Sequence, residues 1–105
     1  MLSANKILQQ IKDSVAATDP GATLILYGSY ARGEQRDDSD IDILVLIDAD
    51  KVTYNDEKRI ANPIYHIELE TGIAISPMIF SRKLWETKHT ITPFYKNVTR
   101  EGILL

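Results

Sequence analysis

Residues 26–47 read LYGSYARGEQRDDSDIDILVLI, and the fold of the chain turns on how this stretch is disposed. A Gly28-Ser29 pair closes one apolar run, and acids recur at every second position, Asp38, Asp40 and Asp42, leading into the next. The simplest reading is a solvated acidic turn. In an extended chain, however, side chains at i and i+2 share a face. Asp40 and Asp42 then point the same way from the start of a strand, and beyond them that face continues with Leu44 and Leu46. Two neighbouring carboxylates repel each other, which favours protonation of one unless a cation neutralises both. Oxygen donors without a nearby histidine or cysteine suit a hard ion, magnesium or manganese.

Gly28-Ser29 supplies the complementary part. A glycine at a strand end lets the backbone approach a ligand closely, and a serine opening a helical turn offers a hydroxyl and amide donors to an anion. Arg32 and Arg36 lie in the same loop, within reach of phosphate oxygens. An anion-binding corner beside a cation-binding pair is the arrangement that a metal-triphosphate complex requires.

Outward from this stretch the chain reads helix, strand, strand, helix, strand, helix, helix. Ser3 is the expected cap of a first helix carrying Ile7, Leu8, Ile11 and Val15 at helical spacing, stopped by Asp19-Pro20-Gly21. ATLILYG and IDILVLI are short apolar runs between turn signals and read as buried neighbouring strands. In NDEKRIANPIYHIELETG, Ile60, Ile64 and Ile67 mark a helical face with Asn55 or Asn62 as cap and Gly72 as stop. Pro63 favours a break there. GIAISPMIFS is a third strand, which Pro77 confines to an edge or a bulge. RKLWETK reads as a short helix, and Thr92-Pro93 opens a last one with Phe94 and Val98 on one face, before an apolar tail, Ile103-Leu104-Leu105. This order defines an α/β (α+β) domain, a small mixed β-sheet flanked by helices.

The totals narrow the function. A chain of 105 residues is expected to form one domain over residues 1–105, too small for an embellished active site, so that anything it lacks is expected from a partner. With 44% hydrophobic and 26% charged residues it reads as an ordinary globular protein and not a disordered one, and the polar and charged residues within MLSANKILQQIKDSV make that segment read as neither signal peptide nor membrane span. A net charge of −3 argues against stand-alone nucleic-acid binding through phosphate neutralisation. The absence of cysteine excludes a disulfide framework and a catalytic thiol and fits a cytoplasmic location.

Gly28-Ser29, the ten residues 30–39 and then Asp40-Ile41-Asp42 resemble the signature of the DNA polymerase beta-like nucleotidyltransferase superfamily. GSYARGEQRDDSDIDILV resembles its minimal nucleotidyltransferase branch in particular. The resemblance implies nucleotidyl transfer, in which a hydroxyl attacks the α-phosphate of a nucleoside triphosphate such as ATP and pyrophosphate leaves. It implies that Gly28 and Ser29, with Arg32 and Arg36, hold the triphosphate. Asp40 and Asp42 take the catalytic, metal-ligand role with magnesium or manganese as cofactor. Such members resemble the smaller half of two-component toxin-antitoxin systems, paired with a helical HEPN protein, so the acceptor is expected to be a partner's hydroxyl. A homodimer is the other association considered, because an apolar tail is costly to leave in water.

One part of that pattern is missing. The family carries a third carboxylate on a later strand, where this chain has Ser76 or Pro77. Glu68 and Glu70 read as solvated helix residues, Tyr65 and Trp85 as packing residues, and His66 and His89 as isolated histidines. The departure leaves a second reading beside the enzyme, a catalytically weakened nucleotide-binding module that regulates a partner by contact.

Overall fold

The computed structural model describes residues 4–105; the cap expected at Ser3 lies outside them. Helix α1 (Ala4–Thr18) buries Ile7, Ile11 and Val15, the stripe expected from its spacing. Strand β1 (Thr23–Tyr27) leads through Gly28 into the one-turn helix α2 (Ser29–Arg32), and strand β2 (Ile41–Ile47) follows the acidic loop. Helix α3 (Tyr54–Thr71), strand β3 (Ile75–Ser81), helix α4 (Arg82–Thr87), a 3-10 turn (His89–Ile91) and helix α5 (Pro93–Glu101) complete the expected order. A further short strand, β4 (Ile103–Leu104), does not belong to that order.

The sheet runs β3-β2-β1-β4. β1 is antiparallel to both β2 and β4, whereas β2 and β3 are parallel, as a helical crossover between them allows. β2 lies at the centre, which explains its unbroken apolar run. Ile41, Ile43, Val45 and Ile47 face α1 and α3, while Leu44 and Leu46 pack with Trp85 and Val98 on the other side. β3 lies at the sheet edge, where Pro77 leaves no central ladder position without a donor.

Three expectations are corrected. The break at Pro63 does not occur: α3 is continuous, with the proline inside it. The buried Ile60, Ile64 and Ile67 straddle Pro63 and hold both halves against the sheet, so packing outweighs the lost backbone donor. Its cap is neither Asn55 nor Asn62 but Thr53, in a capping box with Asp56: the Asp56 N–H donates to Thr53 Oγ1 and the Thr53 N–H to Asp56 Oδ2, each at 3.1 Å. Tyr65, expected to pack, is 56% exposed, and only Trp85 of that pair is buried.

The C-terminal tail folds back on its own domain. Leu26 pairs with Ile103 and Ile25 with Leu104, and the Leu105 N–H donates to the Leu24 carbonyl at 3.0 Å. Leu105 joins the core margin, whereas Leu104 stays 71% exposed. Gly102 makes the turn from α5 into β4 possible. A Cβ there would collide with the Val98 carbonyl oxygen and lie 2.6 Å from Ile25 Cγ2. Gly102→Ala is therefore expected to lower stability by about 1–3 kcal/mol, at roughly 4–8 °C of Tm per kcal/mol in a domain of this size. Thermal denaturation followed by circular dichroism measures it, and an unchanged Tm would contradict the close packing of this turn.

Candidate active site

The antiparallel register of β1 and β2 sets Tyr27 opposite Asp42, so the end of one strand meets the start of the next. Gly28 follows with φ +77° and ψ −156°, a backbone conformation that side chains disfavour. It turns the chain into α2, where the Ala31 and Arg32 N–H groups both donate to the Gly28 carbonyl at 3.1 Å. The glycine is required for a more local reason than ligand access alone. A Cβ at Gly28 would run into the Asp42 carboxylate, with its Cγ only 3.2 Å away. The Gly-Ser corner and the second aspartate are thus in direct apposition.

Asp40 and Asp42 flank Ile41, whose side chain is buried towards α1, and share the opposite face, as the alternation requires. Asp40 is exposed, whereas Asp42 is half-buried. Burial pushes the Asp42 carboxyl above the usual carboxylate range, the Asp40 charge adds to the rise, and Arg32 partly offsets it. Tyr27, on the neighbouring strand, is pushed up to about 12, first by burial and then by the Asp42 charge.

β3 supplies the next residue. The parallel register sets Ser76 beside Asp42 and Pro77 beside Ile43, a core residue of the other face. Ser76 is therefore the residue that faces the pair, and its hydroxyl donates to Asp40 Oδ2 at 3.3 Å. Among the described residues no group of three or more His, Cys, Asp or Glu side chains is disposed to hold a metal ion. The donor set at this corner is two carboxylates and a hydroxyl, all hard oxygens of the kind that magnesium or manganese accepts. Glu68 is not merely solvated, because its Oε1 accepts the Ile75 N–H at 2.8 Å and fixes the start of β3. His89 stacks on Phe80 with centroids 4.8 Å apart and serves packing.

The two arginines part company. Arg32 leaves α2 towards the site, its Nε donating to Glu34 at 2.6 Å and its Nη1 to both oxygens of Glu101, at 3.1 and 3.2 Å. Arg36 lines a separate cleft of about 460 Å³ with Ile7, Tyr30, Ile41 and Ile73, on the side covered by α1. Glu101, at the end of α5, was invisible to sequence reasoning because it lies 73 positions from Gly28, whose N–H it accepts at 3.4 Å. The α5 period carried no sign that its last residue would turn into the site.

This corner, at the ends of two adjacent strands of a small mixed sheet, belongs to a nucleotidyltransferase: residues 8–103 match the nucleotidyltransferase domain family, and the chain is a member of it. Among curated proteins it is 30% identical to one provisionally named protein adenylyltransferase of Methanocaldococcus jannaschii, over 75% of this chain and 81% of that one. It is 35% identical to a second from the same organism, over 78% of this chain and 75% of the other. Among solved structures its fold is similar to a toxin-antitoxin protein with AMP-PNP, at a TM-score of 0.59, 23% identity and coverage of 98% of this chain and 72% of the other. A mutant form of the toxin-antitoxin MntA-HpeT aligns with a TM-score of 0.58 and 24% identity, over 100% of this chain and 72% of the other.

The raised Asp42 carboxyl carries a signed stability consequence. A group raised in the folded state contributes stability that is present below its unfolded pKa and is lost as pH rises through the folded one. The metal-free protein is therefore expected to lose stability as pH rises from the ordinary carboxylate range through the raised pKa of Asp42. Asp42→Asn, which removes that charge, is expected to raise its Tm near neutral pH by about 2–4 °C, roughly half a kcal/mol at this partly open, solvent-screened position. Scanning calorimetry at pH 4 to 7 in the presence of a chelator measures both, and a Tm lowered at every pH would refute the repulsion argument.

Proposed function

We propose that the chain transfers a nucleoside monophosphate, AMP in the first instance, from a nucleoside triphosphate to a hydroxyl on a partner protein. The observation that carries this reading is the apposition of Gly28 to the Asp42 carboxylate, which brings an anion-binding turn and a carboxylate pair to one point. The adenylyltransferase names of the relatives and the AMP-PNP of a structural neighbour support the choice of ATP. The toxin-antitoxin titles of the neighbours support a protein partner, and a helical HEPN-type protein fits that role.

In this reading Asp40 and Asp42 hold magnesium or manganese, which supplies charge neutralisation at the phosphates when bound. Gly28 and Ser29 offer backbone and hydroxyl donors to the triphosphate, and Arg32 offers a guanidinium. The acceptor oxygen forms a bond to the α-phosphorus, the bond from that phosphorus to the bridging oxygen breaks, and pyrophosphate carries away the leaving charge. The hydroxyl proton is released as the new phosphodiester forms. Positioning and charge stabilisation dominate such a reaction, so a small site suffices if the acceptor comes from elsewhere.

A second reading follows from Ser76. A hydroxyl in place of the third carboxylate favours a module that binds metal-nucleotide and acts on its partner by contact, with slow chemistry or none. Both readings require the aspartate pair. Asp40→Asn and Asp42→Asn are each expected to weaken magnesium-ATP binding by at least about tenfold, since a dication loses one of its few anionic ligands. Calorimetric titration is the measurement, and unchanged affinity in both variants would refute the metal assignment. Incubation with radiolabelled ATP, magnesium and cell lysate separates the readings: label on a protein supports transfer, whereas nucleotide binding without label supports the contact module.

A further inference from the structure

Glu101 closes α5, where the exposed carbonyls of a helix C-terminus disfavour a carboxylate. It nevertheless turns inward, with its side chain only 18% exposed. Its Oε1 accepts the Gly28 N–H at 3.4 Å and Arg32 Nη1 at 3.1 Å, and its Oε2 accepts Arg32 Nη1 at 3.2 Å. The α5 end is thus held to the β1–α2 corner by charge-assisted hydrogen bonds.

Gly28 and Arg32 are the groups that the proposed function gives to the triphosphate. A carboxylate and a phosphate are both anionic oxygen acceptors, and the two cannot share one guanidinium and one amide without strong like-charge repulsion. We propose that Glu101 is a resident competitor for the phosphate-binding corner, an internal anion that an incoming triphosphate displaces from Gly28 and Arg32. The inference rests on that reading of the corner and adds to it a residue that sets the nucleotide affinity.

The exchange needs little movement. Gly102 and β4 anchor the backbone after Glu101 by pairing with β1, so α5 stays in place while the three-torsion side chain swings to solvent. Before nucleotide arrives, Glu101 accepts from Arg32 Nη1 and the Gly28 amide, while Glu34 keeps Arg32 Nε, and Glu101 offsets the positive charge of the turn. Once a triphosphate is bound, Glu101 beside it would oppose it. The opposite role, in which Glu101 steers Arg32 towards phosphate, predicts the reverse effect of removing its charge.

The test is calorimetric titration of magnesium-ATP into the unmodified protein, Glu101→Gln and Asp42→Asn, with the Gly28 amide, which donates to Glu101, followed by NMR. Neutralising the competitor is expected to tighten binding by roughly 5- to 30-fold. The Gly28 amide resonances of the unmodified protein and of Glu101→Gln are expected to differ without nucleotide and to converge once magnesium-ATP is bound, because Glu101 then no longer touches the amide; a difference that persists in the bound state overturns the displacement. If Glu101→Gln fails to fold, Glu101→Asp keeps the charge but withdraws it by one methylene, and is expected to tighten binding by a smaller factor. Equal or weaker binding in the folded variant overturns the competition. If Asp42→Asn loses nucleotide while Glu101→Gln matches the unmodified protein, the competition fails and the site reading stands. If none of the three binds magnesium-ATP, the site reading fails and the competition fails with it.

Discussion

The contact between the bare Cα of Gly28 and the Asp42 carboxylate is the constraint from which the rest of the site follows. It exists because β1 and β2 are antiparallel neighbours in a register that sets Tyr27 opposite Asp42. The residue after Tyr27 must then turn away within the space of one peptide, and only a glycine combines φ +77° with no side chain against the acid. Any larger residue would separate the turn from the carboxylates by at least a methyl group. The anion corner and the acidic pair would then be two weak features rather than one site.

That site works against the stability of its own domain. A positive-φ turn, a desolvated aspartate beside another aspartate, and a glutamate at a helix C-terminus are each unfavourable locally. They are tolerated because β2, which carries Asp42, is buried on both faces from Ile43 to Ile47 and cannot shift register without exposing its whole apolar content. Arg32 and Glu101 then tie the end of α5 to the turn, beside the pairing of β4 with β1. The core fixes positions that the site's own charges would push apart.

The features legible from residue order were those with a local physical cause. The 3.6 periodicity placed α1 and the buried face of α3, the length of two apolar runs between turn signals placed β1 and β2, and the alternation of acids put Asp40 and Asp42 on one face. Pro63 was misread because the local lack of a donor is visible in the sequence, whereas the three isoleucines that hold both halves of α3 act only after the helix meets the sheet. β4 was missed because two residues carry no period, and their strand character comes from β1 alone. Glu101 was missed for a related reason, since its partners Gly28 and Arg32 are distant in the chain and close only in the folded structure. The choice between Ser76 and Pro77 was likewise a matter of register, which parallel pairing with β2 decides and composition does not.

Ser76 bears on chemistry more than on binding. A third carboxylate beside Asp40 would raise the repulsion within the cluster and would need further cationic charge to balance it. A hydroxyl does the reverse: it donates to Asp40 Oδ2 and eases the negative charge without a cation. Glu101 does not replace the missing acid, because its oxygens are committed to Gly28 and Arg32 and no three-acid group forms among the described residues. Under the proposed function, two carboxylates would match the charge of a single dication and bring a triphosphate to the turn. The enzyme and contact-module readings therefore share the same nucleotide corner and separate at the step where an acceptor oxygen must be activated beside Asp40, the place where this chain carries a serine.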